Sequence, residues 1–156
     1  MMTKEERIEK AKALFKEGYN CSQSVVAAYA DLYGFTPDQS FLMSAAFGAG
    51  IGRMRETCGA ACGMFLLAGL ERGAVDGKDR ARKSATYALV QELAAQFKKE
   101  FGTIRCADLL GLNKDQPISP NAESRTKEYY AKRPCIHMVE TAARFFGDYL
   151  EKEGKL

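Results

Sequence analysis

The sequence predicts an all-α fold, a single-domain irregular helical bundle around a buried central helix, covering residues 1–156. Three observations carry this expectation. Apolar residues recur at three- and four-residue spacing along nearly the whole chain, with capping residues before the stripes and glycines after them. No segment alternates apolar and polar residues as a half-buried strand would. The segment that starts at Cys58 is apolar on nearly every side until Glu71, the pattern of a helix in the middle of a core.

The elements follow in order. Thr3 and Glu6 form a capping box for a first helix, whose stripe of Ile8, Ala11, Leu14 and Phe15 is ended by Gly18. Asn20 caps a second, with Cys21, Val25, Ala28 and Leu32 inward and Gly34 as its stop. Thr36-Pro37 followed by Gln39 starts a third, with proline at the first helical position. It runs through Phe41, Leu42 and Ala45 into the glycine-rich stretch GAGIGRMRE, read as a mobile loop. Thr57 caps CGAACGMFLLAGLERG, the central helix. Asp79 opens a longer amphipathic helix with Leu89, Leu93, Phe97 and Phe101 at four-residue spacing, ended by Gly102. CADLLG is a short helix, Asn113 to Ala122 a loop with two prolines, and Ser124 to Lys132 a polar helix. Pro134 starts the last helix, along Ile136, Val139, Ala143, Phe146 and Leu150. The absence of repeats, low-complexity tracts and linkers favours one domain.

Composition narrows the function. The 156 residues are 46% hydrophobic and 28% charged, an ordinary globular balance with enough chain to bury a core without staples. A formal charge of +3, without a basic patch interleaved with aromatics, argues against nucleic-acid binding. The longest nearly uncharged stretch, Phe41 to Ile51, falls well short of the ~20 residues of a membrane span. The N-terminus is charged from its fourth residue and has no apolar signal region, so a cytoplasmic, non-membrane protein is expected.

The five cysteines and single histidine are the informative residues. No CxxC or CxxCH occurs, which removes zinc ribbons, ferredoxin runs, thioredoxin motifs and haem attachment as local features. Cys21, Cys58, Cys106 and Cys135 are separated by 37, 48 and 29 residues, so any shared site must be assembled by the fold. Each falls in the first turn of a predicted helix. There, unpaired N–H groups and the helix dipole lower a thiol pKa from about 8.5, favouring the thiolate that attacks disulfides and binds metals. Each also lies on an apolar stripe, so all four point inward and are candidate catalytic residues and metal ligands. The competing reading is that they are small buried hydrophobes.

The segment GAGIGRMRETCGAACG adds to the functional side. Gly59 and Gly63, one turn apart, each cost ~1 kcal/mol relative to alanine within a helix and leave a bare face for a neighbouring helix or cofactor. Cys62 shares the adjacent face with Cys58, and a disulfide between the two would be strained. Gly59, Cys62 and Gly63 are therefore candidate cofactor-binding residues, and Arg53 and Arg55 add positive potential at Cys58. GAGIG lacks both the preceding strand and the Lys-Ser/Thr of a phosphate loop. His137 shares a polar face with Thr141, Arg144 and Asp148 and reads as exposed.

Cys21, the CGAxxG core at Cys58, Gly59, Ala60 and Gly63, then Cys106 and Cys135, resemble the redox-active proteins named for their C, GCAxxG, C, C pattern. The likeness runs from about Glu6 to Phe146, and Cys62 sits at a variable position. The resemblance implies a small, mainly helical, redox-active protein whose marker cysteines are Cys21, Cys58, Cys106 and Cys135. Related sequence in some multihaem cytochromes fits an iron–sulfur site.

Two mechanisms stand side by side: four thiolates holding an iron–sulfur cluster, or thiols cycling between dithiol and disulfide. The alternatives are a structural zinc site with the same ligands and a helical interaction domain with packing cysteines. The electron donor or acceptor is undefined, and the oligomeric state is open, a homo-oligomer included.

Overall fold

A computed structural model describes residues 1–113 and 116–156. Among these residues the fold is all-α: α1 Lys4–Lys16, α2 Cys21–Ala27, α3 Pro37–Ser44, α4 Gly59–Arg72, α5 Arg80–Phe101, α6 Cys106–Leu109, α7 Lys127–Lys132 and α8 Cys135–Lys152. The one β feature among them is an isolated antiparallel bridge between Thr57 and Arg105. Within the Asn113–Ala122 loop expectation, positions 114 and 115 lie outside the described residues; the rest has no regular structure.

Local sequence explains most boundaries. Thr3, Asn20 and Thr36 each accept a bond from the N3 amide while the N3 Glu or Gln side chain returns one, so all three capping boxes form. Asp79 accepts from the Arg82 N–H at the start of α5, and Gly102 closes it in the left-handed conformation. Helix α4 is the centre of the bundle, with α2, α5 and α8 packed around it and α1 against α8. Its Ala60, Ala61, Met64, Leu67 and Ala68 are fully buried beside Val25, Leu93, Phe97, Val139 and Phe146.

Three boundaries depart from the pattern in the sequence. The second helix does not run on to Leu32: α2 stops at Ala27 and a 3₁₀ turn spans Ala30–Tyr33. Between them the buried Tyr29 donates its hydroxyl to the Ala143 carbonyl of α8 at 2.6 Å, a tertiary bond that redirects the chain. Thr57 does not cap α4; its backbone belongs to the bridge with Arg105, and Cys58 takes the N-cap position. The polar helix starts at Lys127 rather than Ser124, because Thr126 supplies the cap and Arg125 is drawn aside to the Phe15 and Tyr19 carbonyls.

Arg7 is the largest fully buried side chain, on the inner edge of α1. Its guanidinium donates to the Ala28 carbonyl at 2.9 Å and to both Asp31 oxygens at 2.6 and 3.0 Å. This fork ties α1 to the chain just beyond α2 and holds the Asp31 carboxyl below its usual value, the Arg7 bonds outweighing partial burial. Because the folded-state value is depressed, the pair's contribution is present above about pH 4 and fades as pH falls through the folded value. Asp31→Asn should cost about 1–2 kcal/mol at pH 7, reduced from a fully buried pair because Asp31 is half exposed. Urea unfolding of both proteins should show that gap closing toward pH 3. A gap that persists unchanged there would assign the cost to something other than the ion pair.

Candidate four-cysteine site

The four marker cysteines all stand at helix starts. Cys21 opens α2, Cys58 is the N-cap of α4, Cys106 opens α6 and Cys135 opens α8. All four line one cavity of about 60 Å³. Phe15, Leu109 and Met138 supply apolar wall, while Arg55, Arg125 and Arg133 contribute cationic groups. Cys21, Cys58 and Cys106 are buried, Cys135 is half-buried, and every cysteine is a free thiol.

Backbone pairing assembles the site. The Cys58 N–H donates to the Ile104 carbonyl and the Cys106 N–H to the Glu56 carbonyl, each at 2.6 Å, while Ala107 N–H donates to Arg55 at 3.1 Å. Two helix starts 48 residues apart are thereby zipped together. Gly59 brings in the third: a Cβ there would stand 2.6 Å from Cys21 Sγ and 2.9 Å from the Phe47 carbonyl oxygen. Only the missing side chain lets α2 and α4 place Cys21 and Cys58 on the same cavity.

The glycine-rich stretch is a defined turn. Ala49, Gly50, Ile51, Gly52 and Arg53 all have positive φ, as does Arg55. The turn is pinned by Gly52 N–H to Ala46 O at 2.8 Å and Glu56 N–H to Gly50 O at 2.9 Å. Left-handed backbone costs a non-glycine residue about 1–2 kcal/mol, and Ile51 is β-branched as well. Such strain gathers where a fold holds a functional site in place. Gly50 passes so close to Cys106 that a Cβ would meet the cysteine's own Cβ at 2.5 Å.

Of the candidate cofactor residues, Gly59 lines the cavity, and Cys62 and Gly63 are placed off it. The bare face of Gly63 meets the Ser22 carbonyl and Val25 of α2, so this glycine serves helix packing. Cys62 is buried behind the N-cap, its Sγ 3.7 Å from the Thr57 carbonyl. His137 is exposed. Among the described residues, no three His, Cys, Asp or Glu side chains gather tightly enough to hold one metal ion.

Electrostatics correct the expectation of acidified thiols. The Ala60 and Ala61 amides at the start of α4 do favour the Cys58 thiolate, but burial, reinforced by Cys21, pushes its pKa well above the ordinary value. Burial also raises Cys106 against the pull of Arg55, pushes Cys62 up to about 11 and pushes Cys135 up to about 12. The helix-start amides still favour the thiolate, but burial costs it more solvation than they return.

Two residues near the site escaped the sequence reading. Arg125 donates to the Phe15 and Tyr19 carbonyls at 2.9 and 3.0 Å and lies over the Phe15 and Tyr129 rings. Arg133 lies over Tyr129 and pairs with Glu123. The one local signal was Arg133 standing two residues before Cys135.

A raised folded-state thiol pKa means that the unfolded chain ionises first as pH rises. Stability is then complete below about pH 8.5 and declines above it, toward the folded values. The reduced, metal-free protein should therefore lose thermal stability between pH 8 and pH 10, as read by Tm, and Cys135→Ala should lose less (about one thiol's share). A flat Tm profile would contradict the burial of these thiols.

No curated protein and no solved structure shows significant similarity to this chain. One family model matches residues 19–149, described as "Putative redox-active protein (C_GCAxxG_C_C)". The matched region takes in all four cavity cysteines and the strained turn, and the chain belongs to this redox-active family.

Proposed function

We propose that the protein is a one-electron carrier whose Cys21, Cys58, Cys106 and Cys135 hold an iron–sulfur cluster. The observation that carries this reading is that four thiols from four separate helix starts line one small cavity. The donor set fits: thiolates are the soft ligands such clusters take, and four is their number. The cavity's volume of about 60 Å³ exceeds the about 10–15 Å³ that one water-sized occupant requires. When bound, the cluster supplies reversible uptake and release of one electron.

The chain's own residues prepare that chemistry. Phe15, Leu109 and Met138 keep water from the thiols. Arg55, Arg125 and Arg133 offset the negative charge of four thiolates, and Arg55 Nη1 lies 3.8 Å from Cys106 Sγ, the position of an N–H donor to a ligand sulfur. Buried thiols hold their protons until a metal displaces them, so loading releases protons. Disulfide exchange needs an exposed thiolate, and burial that favours the neutral thiol supports the cluster reading over it.

Anaerobic reconstitution with ferrous iron and sulfide, followed by absorption spectroscopy and metal and sulfide analysis, tests the proposal. A brown protein with bound iron and sulfide is expected. Alanine at Cys21, Cys58, Cys106 or Cys135 should bleach or strongly destabilise it. Cys62→Ala should keep full colour and cost about 1–2 kcal/mol of stability. A colourless protein carrying stoichiometric zinc, or a reversible disulfide titration without metal, would overturn the reading. Loss of colour in Cys62→Ala with retention in Cys58→Ala would mean that the motif's ligand is the other thiol.

A further inference from the structure

At the mouth of the cysteine cavity, Arg53, Arg55 and Arg133 converge on one oxygen of Glu123. Arg53 Nη2 is 3.5 Å and Arg55 Nη2 3.7 Å from Glu123 Oε1, and Arg133 Nη2 pairs with the same atom. Their side chains are 19%, 16% and 18% exposed, so three arginines lie largely covered around a single carboxylate. Glu56, which lines a cavity with these arginines, and Asp108 pair with Arg105. Arg53 also donates to the Asn121 carbonyl, yet its Nε is buried without any partner. The three arginines and Glu123 line two further cavities, of about 170 and 400 Å³. Arg53 and Arg55 reach this position from left-handed backbone, at φ +64° and +61°.

Largely covered cations in surplus over the counter-ions of the described residues favour a further anion, and the Arg53 Nε is a buried donor without a partner. Among the described residues, three positive charges against one negative leave two to neutralise. We propose that Arg53, Arg55 and Arg133 form a binding site for a small divalent oxyanion, which Glu123 competes for from within the chain. The site adjoins the thiols through Arg55, which touches both Glu123 and Cys106. The charge surplus is counted with the cysteines as neutral free thiols, as in the metal-free protein.

Isothermal titration of the full chain with inorganic sulfate, at ionic strength held constant with chloride, tests the site. Saturable one-to-one binding is expected. Glu123→Gln removes the competitor and should bind sulfate about tenfold more tightly, while Arg53→Gln and Arg133→Gln should each weaken it about tenfold. Arg144→Gln, on the far side at Glu5, should match the parent. Cys58→Ala should still bind sulfate, so a failure of the cluster reading and a failure of this one are separately visible. Absence of saturable binding in both the parent and Glu123→Gln would overturn the proposal. So would an equal loss in Arg144→Gln and Arg53→Gln, which would mean diffuse screening only.

Discussion

The short backbone pairing between residues 55–58 and 104–107 is the constraint on which the site depends. Four helix starts can share a cavity only if the chain returns to it four times, and this pairing fixes two of the returns at hydrogen-bond length. It also holds Arg55 in its left-handed conformation, since the Arg55 carbonyl is one of the acceptors. Gly59 then sets the approach of Cys21, and the strained turn at 49–53 carries the chain from α3 to the pairing without adding bulk beside Cys106. A side chain at Gly50 or Gly59 would separate cysteines that the rest of the fold draws together.

Burial and charge pull the site in opposite directions. The helix starts and arginines favour thiolates, whereas the apolar wall favours neutral thiols and prevails in the metal-free protein. Under the proposed cluster reading, these are residues that gain their charge together with the metal. Arg55 and Arg133 also reach Glu123, and both line the cysteine cavity and the two cavities around the 116–126 segment.

The remainder of the bundle is a frame for this arrangement. Helix α4 presents Gly59 and Gly63 where α2 approaches closely and buries Met64 and Leu67 in the core. Arg7 and Tyr29 fasten α1, the end of α2 and the middle of α8 by polar bonds inside the core. No helix among the described residues is long and apolar enough to cross a membrane.

What the amino-acid order determined by itself was local. Thr3, Asn20 and Thr36 formed their capping boxes because every partner lies within three residues, and Leu89, Leu93 and Phe97 faced the core because their spacing is helical. The all-α class, the family and the helix-start position of the four cysteines were legible for the same reason. Tertiary structure alone decided the rest. Tyr29 broke the second helix to reach Ala143, and Thr57 gave up its cap to pair with Arg105, each bond spanning a distance that no local pattern encodes. Whether a thiol at a helix start is acidic depends on the water left around it, and whether an arginine is solvated depends on what covers it. Both are set by segments far away in sequence, and the raised thiols and the Arg53–Arg55–Arg133 cluster appear only once those segments have packed.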